Sequence, residues 1–202
     1  MASVALVPRM YDTFLEPLVR GFRVAGRQLA DPQAGDRVLD VGCGTGTHLA
    51  LYAAMGCKVS GIDLNPDMIA RARARLGPDA DLREADATEL PFPDDSFDLA
   101  LGMLVLHEMS AADRKAVLGE MARVARRVLI TDHHPRPSGT LRGRVVRVFA
   151  TSIEWIAGGD HYRNYRQFLR SGGVPTVVAG AGRGIIASTR EASGSMGLYL
   201  LG

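Results

Sequence analysis

Val38-Leu39-Asp40-Val41-Gly42-Cys43-Gly44-Thr45-Gly46 is the stretch whose reading decides the fold. A short run of β-favouring residues enters a turn in which glycine occupies every second position. Glycine there permits positive φ and lets a ligand come close to the backbone. The dinucleotide fingerprint GxGxxG needs a third glycine at position 47, which is Thr47, so the spacing is GxGxG instead. The stretch predicts a strand, a tight turn and the start of a helix.

Outward from this turn the pattern alternates. Strand-like runs at Val38–Val41, Lys58–Ile62, Asp81–Glu84, Phe97–Met103 and Arg127–Thr131 are separated by helix-length stretches at Thr45–Met55, Pro66–Leu76 and Ala111–Ala125. Such alternation indicates βαβ units and a parallel sheet. Upstream, Tyr11–Leu29 places Phe14, Leu15, Leu18, Phe22, Ala25 and Leu29 near one helical face. Downstream, the rhythm breaks at Asp132–Arg163, where His133 and His134 precede two prolines and a helical stretch spans roughly Leu141–Trp155. A short helix at Tyr165–Arg170 ends at Gly172-Gly173. Two antiparallel strands are expected within Thr176–Thr189 and Met196–Leu201, the first interrupted by glycines. The expected architecture is α/β, a doubly wound, mostly parallel seven-stranded sheet with an antiparallel last strand. Residues 1–202 are read as one domain, with 1–34 an N-terminal helical lid and 133–163 an inserted cap on the substrate side.

Composition agrees with a globular chain. Of 202 residues 47% are apolar and 23% charged, and no run approaches the ~18 unbroken apolar residues of a membrane span. No basic segment followed by a long apolar stretch opens the sequence, so cytoplasm is the expected compartment. Cys43 and Cys57 are too few for a disulfide framework and lack CxxC spacing, so no metal is expected. Net charge is only +2, yet nine arginines face three acids between Arg126 and Arg170. That segment either attracts an anion or reflects an arginine-rich composition.

Acidic residues close successive strands. Asp63 ends the second strand 21 residues after Gly42, where a carboxylate can accept from both hydroxyls of a ribose. Asp86 follows the third strand and could accept from an adenine amino group. Asp40 could hold the glycine loop or meet an ammonium. Each acid also has a local alternative, bonding backbone amides at a strand end or opening a turn. Together, at the carboxyl ends of three successive strands, they favour a nucleoside site.

Val38 to Gly46 resembles the first motif of class I methyltransferases, Gly61-Ile62-Asp63-Leu64-Asn65-Pro66 their second-strand motif, and Ala85-Asp86-Ala87-Thr88-Glu89-Leu90-Pro91-Phe92 their adenine-side loop. The resemblance covers about residues 36–131 and is strongest to the group that includes ubiquinone and menaquinone biosynthesis methyltransferases. It implies S-adenosylmethionine as cofactor, with Gly42, Gly44 and Gly46 at its methionine end, Asp63 at the ribose, Leu64 and Ala87 on the adenine faces, Asp86 at the amino group and Leu104 near the sulfonium.

The implied activity is methyl transfer to a small acceptor, lipophilic or aromatic. A sulfonium methyl is already activated, so the protein has mainly to align the reactants and exclude water. An acidic acceptor would gain from a base, and histidine suits neutral pH. His107 follows the fourth strand and is a candidate base, with His133 after the fifth; His134 is a candidate substrate contact. Tyr11, His161, Tyr162 and Tyr165 are candidate acceptor contacts from the lid and cap, or simply aromatic packing. Two other readings share the strand, turn and acid: a nicotinamide-dependent oxidoreductase, disfavoured by Thr47 and the Asp86 loop, and a nonenzymatic S-adenosylmethionine-binding protein. The sequence after the fourth strand lacks an Asn-Pro-Pro-aromatic run, so no nucleic-acid partner is expected; oligomeric state is left open.

Overall fold

In the computed structural model the described residues are 16–136, 158–192 and 194–202, with 139–140, 144, 148, 151–152 and 155 of the intervening stretch; the placement of Tyr11 lies outside them. Helix α1 (Glu16–Ala30) leads into β1 (Arg37–Val41), α2 (Thr47–Ala53), β2 (Lys58–Asp63), α3 (Pro66–Leu76), β3 (Asp81–Glu84) and β4 (Phe97–Met103). A single 3₁₀ turn (Leu106–Glu108) precedes α4 (Ala111–Val124) and β5 (Ala125–His133). The chain ends in α5 (Gly159–Ser171), α6 (Val174–Ala179), β6 (Ile185–Glu191) and β7 (Met196–Leu201).

The seven strands lie in the order β3-β2-β1-β4-β5-β7-β6. All pairings among β1 to β5 are parallel, and β7 runs antiparallel to both β5 and β6. β1 therefore pairs on one side with the strand that follows it and on the other with β4, the reversal of direction at which open α/β sheets form ligand crevices. Alternation along each strand divides the core between the two faces. Leu39, Val41, Ala100, Val128 and Ile130 pack with Val117, Leu118 and Met121 of α4. Val38, Leu99, Leu101 and Leu129 face the opposite layer, with Leu49 and Tyr52 of α2 and Ile69 and Ala72 of α3. Both faces being covered explains why the central strands read as nearly continuous apolar runs.

Three local expectations are corrected. The buried stripe of α1 is Val19, Arg23, Gly26 and Ala30, while Phe22, Ala25 and Leu29 are only half-buried. The helix is rotated because Gly26 lets it sit close against the sheet: a Cβ there would lie 3.1 Å from Leu129 Cδ2 and 3.6 Å from Leu198 Cδ2. Second, the β-branched run Thr176-Val177-Val178 belongs to α6, and β6 begins only at Ile185. Pro175 in the first turn pre-sets helical φ and overrides the β preference. Third, β5 continues through His133, which pairs with Met196, so this histidine is a sheet residue and does not follow the strand.

Candidate active site

Gly42, Gly44 and Gly46 all have positive φ, at 75°, 52° and 74°, conformations strained for residues with a Cβ. A Cβ on Gly46 would also stand 3.2 Å from the Cα of Ala72. The loop is pinned to β2, because the amides of Gly42 and Cys43 both donate to Ile62 O at 2.9 Å. Asp63 completes the fixture: Oδ2 accepts from Gly44 N and Oδ1 from Asn65 N, each at 2.9 Å. Its local role is thus real. Each oxygen still has a second lone pair for a ligand hydroxyl.

These elements border a cleft of about 470 Å³ at the carboxyl ends of β1, β2 and β4. Of the residues expected at a nucleoside, Asp40, Gly42, Gly44, Asp63, Leu64, Ala87 and Leu104 line it. Leu64 is 68% exposed, an apolar side chain open to a ligand's flat face. Leu104 has φ 57°, an uncommon strain for a leucine, held by its amide donating to Thr131 O at 2.8 Å. Gly46 is the N-cap of α2, and neither it nor Asp86 is part of the lining. Asp86 is exposed and uses Oδ1 to accept from Thr88 N and Thr88 Oγ1, both at 2.8 Å. Those bonds hold its carboxyl below the usual range.

Sequence reasoning missed the floor of the cleft. Arg23 reaches it from α1 and His48 from α2, beside Asp40, and all three are at most 6% exposed. Asp40 Oδ1, both ring nitrogens of His48 and the hydroxyl of Tyr52 are buried without a hydrogen-bond partner. His48 Nδ1 stands 3.6 Å from Asp40 Oδ2, too far for a hydrogen bond. An unmet buried polar group costs about 1–3 kcal/mol, so this cluster gains by receiving a ligand. Asp40 Oδ1 calls for a donor, and the cationic Arg23 borders the same cleft. Burial, with Asp40 and Asp63 nearby, pushes the Cys43 thiol up, so it stays protonated and is no nucleophile. The only sequence signal for His48 was its place two residues past the last loop glycine. Arg23 had none, because the helix face was read from apolar residues alone.

A second polar cluster lies behind the far wall. Asp132 is fully buried; Oδ1 accepts from His107 Nδ1 at 2.8 Å and His133 N at 2.6 Å, and Oδ2 from Leu106 N at 3.0 Å and His107 N at 3.2 Å. Burial opposes its ionisation, but attraction to His107 and these donors prevail and hold its carboxyl below the usual range. An ionised carboxylate only accepts, so Nδ1 of His107 carries the proton. Oxygen and nitrogen atoms of His107, Asp132 and His133 fall within 4.8 Å of one another, a spacing open to a metal. With four donors on its two oxygens, Asp132 is already saturated as an acceptor, which makes this a hydrogen-bonded network instead. Tyr165 closes it, its ring edge-on to His133 at 5.0 Å and to His107 at 5.9 Å.

Among the remaining candidates, His161 lines the cleft, while His107, His133, His134, Tyr162 and Tyr165 do not. His134 Nδ1 lies 2.8 Å from Arg136 O, and Tyr162 stacks under Arg166 on the outer side of α5. What sets His161 over the cleft is Arg114, 2% exposed. Its Nε donates to Leu106 O at 2.8 Å, Nη2 to Asn164 O at 2.7 Å and Nη1 to Gln167 Oε1 at 3.3 Å. Asn164 Nδ2 in turn donates to Glu108 O at 2.7 Å. Helix α5 is thereby bolted to the turn that forms the cleft wall.

The chain is similar to known proteins in sequence and in fold. Residues 38–127 match a family described as a methyltransferase domain. The chain is 39% identical over 131 residues to a phosphatidylethanolamine N-methyltransferase of Cereibacter sphaeroides, covering 60% of this chain and 63% of that protein. It is 46% identical over 79 residues to a demethylmenaquinone methyltransferase of Clavibacter sepedonicus, covering 38% and 32%. The chain thus spans less than two thirds of the length of these curated relatives. A SAM-dependent methyltransferase from Aquifex aeolicus superposes with a TM-score of 0.62 at 20% identity, over 89% of this chain and 88% of that one, which shows the shared fold.

Proposed function

We propose that this chain is a class I S-adenosylmethionine-dependent methyltransferase that transfers the cofactor's methyl group to a small lipophilic acceptor, a reading supported by the methyltransferase-domain match over residues 38–127. The observation that carries the reading is the cleft floor, where the open carboxylate oxygen of Asp40 and the buried Arg23 and His48 adjoin the glycine loop. An α-amino-acid tail fits there, its ammonium at Asp40 and its carboxylate at Arg23. Asp63 takes the ribose hydroxyls, Leu64 and Ala87 the adenine faces, Asp86 the adenine amino group through its second oxygen, and Leu104 the neighbourhood of the sulfur.

When bound, the cofactor supplies a methyl carbon already activated by a cationic sulfur. The protein's own part is alignment and exclusion of water. His161 and the wall at residues 103–109 confine the acceptor next to Leu104, with α5 as the cap. His107 stands behind the cleft wall and acts as a positioning residue: with its Nδ1–H on Asp132 it holds the Leu106–Glu108 turn in place beside the acceptor. His133 and Tyr165 fix the ring. A lipophilic acceptor is supported by the named substrates of the two curated relatives, phosphatidylethanolamine and demethylmenaquinone. The compartment in this reading is the cytoplasm; no described helix is long and apolar enough to cross a membrane.

The test compares calorimetric binding of S-adenosylhomocysteine and 5′-methylthioadenosine, which share nucleoside and sulfur but differ in the amino-acid tail, with NAD as a control. The expected order is strong, weak and none. Asp63→Ala should weaken both nucleosides by about 10-fold or more, through loss of ribose hydrogen bonds. Binding of NAD in place of the sulfur nucleosides rejects the function.

A further inference from the structure

Helix α5 has two unlike faces. Tyr165 and Phe168 are buried, and His161 on the same side lines the cleft. Arg163, Arg166 and Arg170, at i, i+3 and i+7, are exposed on the other side, along a groove of about 570 Å³. Arg163 pairs with exposed Asp160 at 2.7 Å, and Arg166 donates to the Tyr162 hydroxyl at 3.3 Å; Arg170 has no ion pair or hydrogen bond among the described residues. The segment just upstream carries exposed apolar side chains of its own. Arg144, Val148, Ser152 and Trp155 are helical and exposed at spacings that share one face. Val148 is 66% and Trp155 68% exposed. Thr151 Oγ1 lies 3.4 Å from the Tyr165 hydroxyl, which joins this helical stretch to α5. Over residues 139–171 the sequence has six arginines against Glu154 and Asp160, in a chain whose net charge is only +2.

Arginines beside an exposed tryptophan and an exposed aliphatic residue form the pattern of a surface that lies in the headgroup region of a bilayer. The indole sits at the polar boundary, Val148 meets the acyl edge, and guanidinium groups meet phosphates. Nucleic acid would also use the arginines and the indole, but it offers nothing to Val148, and this decides between the two.

We propose that the outer face of the cap, formed by Arg144, Val148, Trp155, Arg163, Arg166 and Arg170, docks on the surface of an anionic lipid bilayer. His161 on the inner side of α5 lines the cleft, so docking of the outer side brings a membrane-dissolved acceptor towards its rim. The docking claim does not depend on methyl transfer and is tested apart from it.

Trp155 is the only tryptophan, so intrinsic fluorescence reports on this face alone. The full chain is titrated with vesicles of phosphatidylcholine and with vesicles containing 30% phosphatidylglycerol. A blue shift with the anionic vesicles only, reversed by high salt, is expected. Each arginine at such a surface contributes about a five-fold gain in partitioning, so Arg163→Ala/Arg166→Ala/Arg170→Ala should lose on the order of 100-fold. Val148→Ser should weaken vesicle co-sedimentation as well. Unchanged S-adenosylhomocysteine affinity in both variants, or an equal failure to bind it in wild type, separates this proposal from the fate of the functional one. Absence of a shift with anionic vesicles overturns the proposal. So does a triple variant that binds them as wild type does, or a shift produced by an RNA or DNA oligonucleotide and not by vesicles.

Discussion

Replacing Arg114 by methionine tests how α5 is held. The methionine keeps the apolar stem and removes the guanidinium, together with its bonds to Leu106 O at 2.8 Å and Asn164 O at 2.7 Å and its place 5.0 Å from the Phe168 ring centroid. Leu106 O keeps one donor, Met109 N at 3.2 Å, so it is weakened and not stranded. Hydrogen bonds from a charged donor are worth about 1.5–3 kcal/mol each, giving a gross loss of roughly 3–6 kcal/mol. Against this stands the removal of a buried cation, whose desolvation lowers the arginine's own pKa. The expected net loss is about 3 kcal/mol, or a fall in Tm of roughly 6–12 °C for a chain of this size. Arg114→Lys, reaching one carbonyl at most, should fall about halfway. Thermal unfolding followed by circular dichroism measures the loss. Hydrogen exchange should show α5 and residues 106–109 opening together, and S-adenosylhomocysteine affinity should drop because His161 and Glu108 line the cleft. A fall under about 2 °C, or opening spread evenly over the chain, would refute the claim that Arg114 bolts α5 to the turn.

Three further outcomes follow from the same geometry. Gly61→Ala puts a Cβ 2.8 Å from Leu49 Cδ1 and 2.9 Å from both Cβ and Sγ of Cys43, so it should cost about 1–3 kcal/mol in denaturant titration and also weaken nucleoside binding by displacing the loop; wild-type values for both would contradict the close packing. Asp132 has a lower carboxyl pKa folded than unfolded, so its ionised form stabilises the fold above the unfolded value near ~3.9, and this is lost as pH falls through the folded value. The gap in Tm between wild type and Asp132→Asn should therefore be widest around pH 5–7 and shrink below about pH 4, and a constant gap down to about pH 2.5 would count against an ionised Asp132. Cys43 and Cys57 are 5% and 8% exposed, and burial pushes both thiols up, so a disulfide reagent should label neither until urea unfolds the chain; rapid native labelling would show an opening at the loop.

Local chemistry made much of the molecule legible in sequence. The glycine spacing gave the positive-φ turn at 42–46, alternation gave five parallel strands, and acids at strand ends gave Asp40 and Asp63 at the cleft. Each of these rests on interactions between near neighbours in the chain, or on a burial period that repeats along one element. Where two local signals conflicted, at Pro175 before a β-branched run, the weaker constraint was read and the fixed φ of proline won.

Tertiary structure alone decided which polar groups are buried together. Asp132 is satisfied by His107, 25 positions away, and Arg114 bonds carbonyl and side-chain oxygens 8 to 53 positions away. Arg23 faces the cleft because Gly26 lets α1 pack closely on the sheet, turning a charged residue inward where the apolar pattern pointed elsewhere. A buried polar group needs a partner in space, and that partner leaves no mark at a fixed spacing in the sequence. Periodicity records how much of each side chain meets water; only the assembled fold records what else it meets.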